Sequence, residues 1–147
     1  MRYLLDTNIL VFHAQNGENL DKDVISILDD YENLIYVSSE VVKEAMHLIR
    51  YGKIDVKQWK NPNDVWKSIE EWGFTVDYVK KEHVKTLGDL VAVKDHKDPA
   101  DHIIIAQAIT NKMPLISSDQ QFRHYKKQGL NLVFNNTQEK NKIANRL

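Results

Sequence analysis

The sequence has no cysteine, and this absence excludes several kinds of scaffold and site. Disulfide-stapled folds, thiolate metal centres and cysteine nucleophiles all require thiol groups. Any metal ion bound by this chain must therefore be held by oxygen atoms or by imidazole nitrogen.

Long apolar runs are also lacking. No stretch approaches the roughly 18 to 20 apolar residues that span a bilayer. The structural pattern begins at residue 2, with no signal-peptide core before it. We therefore expect a soluble protein of the cytoplasm that has no membrane partner.

A general excess of positive charge is missing as well. The formal net charge is −1, which excludes binding to nucleic acid through bulk positive charge. The charge is nevertheless uneven, because residues 1–50 carry four Lys or Arg and nine Asp or Glu, whereas residues 120–147 carry six and one. The basic end could contact phosphates or an acidic partner, but a solvated terminal helix explains it equally well.

The pattern of apolar residues predicts alternating strands and helices. At 147 residues and 42% hydrophobic content, the chain is long enough for one domain, 1–147, with a sizeable core. Short apolar runs typical of buried parallel strands are "YLL", "LIYVSS", "FTVDYV", "MPLISSD" and "NLVFN". Amphipathic segments between them predict helices in "DTNILVFHAQNG", "DKDVISILDDYEN", "SEVVKEAMHLIRYG", a segment with Pro62 in its first turn, Lys81 to Val93, a segment capped by Asp98, and "QQFRHYKKQG". This order predicts a three-layer α/β/α domain with a mainly parallel sheet, and a weakly ordered polar tail after Asn135.

The three tryptophans lie between the third predicted helix and the third predicted strand. Trp59, Trp66 and Trp72 could stack on nucleic-acid bases. However, the spacing of Trp72 with Val65 and Ile69 is helical. This spacing favours packing against the core.

Two acids directly follow predicted strands. Asp6 ends the first strand, and Asp119 follows the "PLISS" strand. In open parallel sheets, ligands bind outside the carboxyl ends of the strands. Both acids are therefore expected at one edge of the sheet, although each alone is equally well explained as a helix cap.

Two further acids lie on the predicted inward faces of helices. Glu44 shares a stripe with Val41 and Leu48, and Asp101 is followed one turn later by Ile105. An acid on such a face is costly unless it is paired or bound to a cation. Pairing of Glu44 with His47, or a favourable helix dipole for Asp101, would explain either acid alone.

The four acids together require a stronger explanation. Unit charges a few ångström apart in a partly dry site repel one another by several kcal/mol. Something cationic should therefore hold the group of Asp6, Glu44, Asp101 and Asp119. Because the cluster offers only oxygen atoms, the natural ion is a hard divalent cation, Mg²⁺ or Mn²⁺.

Four blocks carry a resemblance to a known family. They are "LLDTNIL" (4–10), "SSEVVKEA" (38–45), "HKDPADHIIIAQA" (96–108) and "LISSDQQF" (115–122). In content and order they resemble the signature blocks of the PIN-domain ribonucleases, and most closely those of the small VapC-type toxins. The first and third blocks are the specific ones, and the second is weak on its own.

The resemblance implies a PIN-like fold and a metal-dependent endoribonuclease. The chemistry of metal-assisted phosphodiester hydrolysis adds the hypothesis that cleavage leaves a 5′ phosphate and a 3′ hydroxyl. The resemblance also implies an RNA substrate, a homodimer and an antitoxin partner. The residues matching the acids that bind Mg²⁺ or Mn²⁺ in this family are Asp6, Glu44, Asp101 and Asp119. Asn8 matches a bracing polar residue, and Ser117 stands where the family usually has threonine.

Some positions depart from the family or compete for a role. His102 replaces the usual arginine, and Val41 stands where serine or threonine is common, but neither change touches an acid. Glu40, one turn before Glu44, is the second choice for the helix acid. For His96 and His102 we expect surface or capping roles and not metal ligation. Cations close to the site in sequence that are able to hold an RNA backbone are Lys43, Lys94, Lys97 and Arg123.

Other classes fit less well. A receiver domain needs adjacent acids after its first strand, and a haloacid dehalogenase-type phosphatase needs an aspartate where Asn8 stands. A PIN fold that has lost catalysis and acts as a scaffold or RNA-binding protein, and a housekeeping nuclease without an antitoxin, remain the alternatives.

Overall fold

The computed structural model of the protein describes residues 1–93 and 95–136. The predicted polar tail, from residue 137 onward, and Lys94 lie outside the described residues. In the described part, no helix is long and apolar enough to cross a bilayer.

The strands form one parallel sheet, as the sequence predicts. Within the described residues there are five: β1 (Arg2–Leu5), β2 (Leu34–Ser38), β3 (Thr75–Asp77), β4 (Leu115–Ser117) and β5 (Leu132–Phe134). Their order across the sheet is β3-β2-β1-β4-β5, and every pairing is parallel.

Helices connect the strands and complete the three-layer α/β/α fold. The α-helices of the described residues are α1 (Thr7–Ala14), α2 (Lys22–Asp29), α3 (Ser39–Arg50), α4 (Asp64–Glu71), α5 (Lys81–Asp89) and α6 (Pro99–Asn111). The predicted helix between β4 and β5 is a 3₁₀ helix, Gln120–Gln128.

The chain enters the sheet at its centre. It builds β2 and β3 on one side of β1, and then crosses to add β4 and β5 on the other side. Leu4 pairs with Leu115, and Leu5 with Ile116, across the join between β1 and β4. Such a reversal of strand order leaves a crevice at the carboxyl edge of the sheet. The residues that follow β1 and β4 therefore face each other there.

The core explains why α6 is almost wholly apolar. Residues 103–108 of this helix are all buried, so the helix has little solvent-facing surface after its first turn. Ile104 and Ile105 have no exposed surface, and they belong to the same apolar cluster as Leu4, Leu5 and Leu115. A helix buried on most sides needs apolar residues around its circumference.

Two predicted helix boundaries are wrong, and hydrogen bonds between side chains and the backbone explain both. Pro62 does not lie in the first turn of α4, because the Asp64 carboxylate accepts hydrogen bonds from the Lys60 and Asn61 amides at 2.8 and 3.0 Å and forms a turn before the helix. The helix predicted to reach Val93 ends at Asp89. Its expected last turn is instead extended, because the Gln128 side chain bonds both backbone groups of Val91.

The tryptophans pack as their spacing predicts. Trp59 is 5% exposed, and its indole Nε1 donates a hydrogen bond to the Ser68 hydroxyl at 2.8 Å. Trp66 and Trp72 are half-buried against the core. Trp59 is therefore both an apolar core residue and a hydrogen-bond donor that links the 53–63 segment to α4.

We expect Trp59→Phe to lower the free energy of unfolding by about 1–3 kcal/mol, because the buried Ser68 hydroxyl loses its indole donor. Trp66→Phe, which changes a half-buried ring in the same region, should cost less. Urea denaturation measures both. Equal losses in the two variants would show that ring size, and not the hydrogen bond, sets the cost.

Candidate metal centre

Asp6 lies between the two central strands at the carboxyl edge. It directly follows β1 and caps α1, where its Oδ1 accepts the Thr7 amide hydrogen at 2.8 Å. Its Oδ2 accepts the Ser117 hydroxyl hydrogen at 2.8 Å, and the residue is only 5% exposed. The side chain of the first predicted acid is thus held by the start of α1 and by β4.

Ser117 also connects Asp6 to the neighbouring acid. Its hydroxyl oxygen accepts the backbone amide hydrogen of Asp119 at 3.0 Å. The Asp119 carboxylate in turn caps the 3₁₀ helix by accepting the Gln121 amide hydrogen at 2.9 Å. Ser117 therefore contacts both Asp6 and the backbone of Asp119, and its supporting role in the site stays a prediction.

Glu44 reaches the same edge from α3. The Thr7 hydroxyl donates a hydrogen bond to Glu44 Oε2 at 2.5 Å, which joins α3 to the start of α1. Glu40 instead forms a surface ion pair with Lys43 at 3.4 Å. His47, the partner that the sequence suggests for Glu44, instead packs on Tyr51 with 4.8 Å between the ring centroids. The structure thus links Glu44, the first choice, to the residue beside Asp6.

Asp101 enters the site from the first turn of α6. Asp98 caps this helix through the Ala100 amide at 3.0 Å, as predicted, and Pro99 is the first residue of the helix. The Asp101 side chain is 16% exposed and lies 3.0 Å from the Nε2 nitrogen of His96. The capped turn thus directs this carboxylate toward the crevice, while the rest of the helix is buried.

The surface role predicted for His96 is wrong. The residue is 5% exposed, with Nε2 facing Asp101 and Nδ1 2.8 Å from the Tyr125 hydroxyl. The same hydroxyl is 3.3 Å from His102 Nε2 and accepts the Val93 amide hydrogen at 3.1 Å. Because His96 lies in a loop, no helical or strand periodicity in the sequence indicates that it is buried.

Asn8 is predicted as a bracing residue, but the contact with an acid is made by its neighbour Thr7, for which no supporting role is predicted. Asn8 is exposed on α1, whereas its neighbour Thr7 is buried and makes the contact with Glu44. The sequence signal for Thr7 is a hydroxyl residue directly after an acid that ends a strand.

Three of the cations predicted to hold RNA lie in the described residues. Arg123 has its guanidinium 3.9 Å from the Phe134 ring centroid, and Lys43 and Lys97 are exposed.

Burial and mutual repulsion raise the pKa of two of the acids. Burial, followed by the charges of Asp101 and Glu44, raises the pKa of Asp6 to about 7, against the opposing hydrogen bonds from Ser117 and Thr7. Burial, followed by the charges of Asp98, Asp119 and Glu44, raises the pKa of Asp101 to about 7. Both carboxyls thus resist ionisation, because they are shielded from solvent and lie close to other negatively charged groups.

The donor set fits a divalent cation. Among residues 1–93 and 95–136, none of the four acids forms an ion pair with Lys or Arg, and Asp101 has only His96 as an ionic partner. Ligand atoms of His96, Asp101 and Asp119 all lie within 4.8 Å of one another. Carboxylate oxygens without a protein cation are the ligands that Mg²⁺ and Mn²⁺ prefer.

Comparison with known proteins agrees with this fold. The PIN domain family model matches residues 3–128. VapBC2 from Rickettsia felis, solved bound to a DNA fragment from their promoter, is similar with a TM-score of 0.66, 17% identity, and coverage of 91% of this chain and 98% of that one. VapBC-1 from nontypeable Haemophilus influenzae is similar with a TM-score of 0.65 and 19% identity, and the match covers 91% of this chain and 98% of that one. VapBC-5 from Mycobacterium tuberculosis, a member of the VapBC family of toxin-antitoxin systems, has a TM-score of 0.60 and 14% identity, with coverage of 90% of this chain and 98% of that one. No curated protein is similar enough in sequence to count as a relative.

The chain therefore belongs to the PIN domain family, because the family model covers most of its length, including both central strands and the residues that follow them. The fold similarity to the solved structures extends over 91% of the chain, and so well beyond the motif blocks.

Proposed function

We propose that this protein is a metal-dependent endoribonuclease that acts as a single domain. The observation that carries the proposal is the convergence of four acids at one sheet edge without a Lys or Arg partner among the described residues. A protein gains nothing in stability from such a group. A bound cation gives the cluster a function.

The proposed ligands are Asp6, Glu44, Asp101 and Asp119, with Mg²⁺ or Mn²⁺ as the ion. When bound, the ion would lower the pKa of a water molecule and neutralise the charge that builds on the phosphate oxygens. Ser117 and Thr7 keep the Asp6 and Glu44 carboxylates in fixed orientations through their hydroxyl hydrogen bonds. Such fixed partners preserve ligand geometry during the reaction.

The proposed reaction is hydrolysis of an RNA phosphodiester. The water oxygen forms a bond to phosphorus, the bond between phosphorus and the 3′ oxygen breaks, and a proton from water ends on that 3′ oxygen. The products are a 5′ phosphate and a 3′ hydroxyl. Lys43 and Lys97, which are exposed and close in sequence to the proposed ligands, would position the RNA backbone without reading its sequence.

We also propose that the protein is the toxin of a toxin–antitoxin pair in the cytoplasm, and that it forms a homodimer. Its membership of the PIN domain family and its structural similarity to VapBC proteins over about nine-tenths of the chain support this assignment. A neighbouring reading frame that encodes a small DNA-binding protein would support it further.

The experiment that tests the nuclease proposal compares two glutamates on one helix. A pool of structured RNAs is incubated with purified protein in Mn²⁺ or in EDTA. We expect wild type to cleave RNA in Mn²⁺ and not in EDTA. The cleavage rate in Mn²⁺ should fall roughly 100-fold or more in Glu44→Gln. It should be nearly unchanged in Glu40→Gln, because the surface ion pair of Glu40 contributes little. Equal rates in the two variants would contradict the assignment of Glu44, and cleavage in EDTA would contradict metal dependence.

A further inference from the structure

His96 is the one buried imidazole that faces the acidic cluster in the described part of the chain, and the proposed ligand set does not use it. It is 5% exposed, and its Nε2 nitrogen lies 3.0 Å from Asp101 Oδ2. A ligand atom of Asp119 lies within 4.8 Å of both. Three donor atoms from a loop, a helix and a strand end thus converge on one point of the cluster.

We propose that His96 is itself a metal ligand through Nε2, together with Asp101 and Asp119, and that it makes the site prefer Mn²⁺ over Mg²⁺. The inference rests on the proposed metal site of the nuclease and adds a nitrogen donor to it. Imidazole binds transition ions well, whereas Mg²⁺ favours oxygen ligands and retained water. A site with one nitrogen and several carboxylates therefore discriminates between the two ions.

The hydrogen bonds around Tyr125 are compatible with this role. The Tyr125 hydroxyl accepts the Val93 amide hydrogen at 3.1 Å and lies 2.8 Å from His96 Nδ1. With the proton of His96 on Nδ1, the hydroxyl accepts a second hydrogen bond and donates its own proton toward His102 Nε2 at 3.3 Å. The Tyr125 hydroxyl is then fully bonded, and the Nε2 lone pair faces Asp101 Oδ2 at 3.0 Å. Two acceptors this close repel each other unless a cation or a proton lies between them, which is the place the proposed ion would take. Metal-binding histidines are commonly oriented by such a contact at their other nitrogen.

The separation of the donors also fits. Two adjacent ligands of an octahedral ion, each about 2.1 Å from it, stand about 3.0 Å apart. The Nε2 nitrogen of His96 and Oδ2 of Asp101 are 3.0 Å apart. With the proton on Nε2 instead, His96 would donate a hydrogen bond to Asp101 and serve only to position it. The experiment separates these two roles.

The test is pulsed electron paramagnetic resonance of Mn²⁺ bound to the full chain, which detects nitrogen coordinated directly to the ion. We expect a nitrogen signal in the wild type that changes isotope character when the protein is made with ¹⁵N-labelled histidine. The signal should be lost in His96→Gln and retained in His102→Gln, a matched change at the other histidine beside Tyr125. If His96→Gln fails to fold, the isotope comparison is repeated in His102→Gln and in His124→Gln, and a nitrogen signal retained in both excludes the other two histidines near the site.

Calorimetric titration with each ion gives the second readout. The ratio of Mn²⁺ affinity to Mg²⁺ affinity should fall at least about tenfold in His96→Gln and stay unchanged in His102→Gln. Mn²⁺ with oxygen ligands alone in the wild type, or no Mn²⁺ binding, would overturn the inference. RNA cleavage by the same samples keeps the two proposals apart. Cleavage by a protein whose Mn²⁺ has oxygen ligands alone would support the nuclease proposal and contradict the role of His96. Nitrogen-bound Mn²⁺ without RNA cleavage would support the role of His96 and contradict the nuclease proposal.

Discussion

Replacing Asp6 by asparagine is expected to change metal binding and stability in opposite directions. Affinity for Mn²⁺ should fall by more than ~100-fold, because the variant loses a charged ligand at the centre of the cluster. In EDTA at pH 8, however, the free energy of unfolding should rise by about 2–4 kcal/mol. The reason is that the wild-type carboxyl, with its pKa raised to about 7, must ionise in a buried and negatively charged place. Calorimetry and urea denaturation measure the two effects.

A suitable control is Asp64→Asn, which removes a carboxyl whose pKa is lowered and not raised. Hydrogen bonds from the backbone amides of Asn61 and Lys60 hold the pKa of the Asp64 carboxyl below its usual value. Its removal should therefore not stabilise the metal-free protein, and should leave Mn²⁺ affinity unchanged. If metal-free Asp6→Asn were less stable than wild type, the repulsion inferred for the acidic cluster would be wrong.

The metal-free protein is also expected to lose stability as the pH rises from about 4 to about 7. At pH values below the ordinary aspartate pKa, Asp6 and Asp101 are protonated both in the folded and in the unfolded chain, so they have no effect. As the pH rises, they ionise first in the unfolded chain, because their folded pKa values are raised to about 7. The unfolded state then binds fewer protons, and the stability falls until the folded carboxyls ionise as well.

Urea denaturation in EDTA across this pH range measures the loss, and the double variant of Asp6→Asn and Asp101→Asn provides the comparison. His13 acts in the opposite sense, since burial lowers its pKa, so the difference between wild type and double variant is the informative quantity. The double variant should show a flatter profile, and saturating Mn²⁺ should remove much of the loss in wild type. Parallel profiles for the two proteins would contradict the account.

The sequence predicts the positions of the four acids in the fold better than it predicts the residues that contact them. Asp6 and Asp119 follow strands, and the carboxyl-edge rule needs only the position of a strand end. Glu44 and Asp101 follow from helical periodicity, because each shares a face with apolar neighbours. These arguments depend on local pattern, which a single sequence displays.

The supports depend on contacts between segments that are far apart in the chain. The buried ring of His96 contacts the hydroxyl of Tyr125, which lies 29 residues later in the chain. No local periodicity in the sequence indicates this contact. The α5 boundary was wrong for a similar reason, since the Gln128 side chain holds Val91 in an extended conformation across 37 residues. A contact between distant segments therefore helps to decide where this helix ends.

The measurement that tests the central claim most directly is cleavage of a pool of structured RNAs by wild type and Asp6→Asn, each in Mn²⁺ and in EDTA. The account predicts that wild type in Mn²⁺ cuts RNA to products with 5′ phosphates and that the other three reactions leave the pool intact. Cleavage that survives both EDTA and the loss of the Asp6 carboxylate would contradict it, because the hydrolysis would then proceed without the metal and without the acid at the centre of the site.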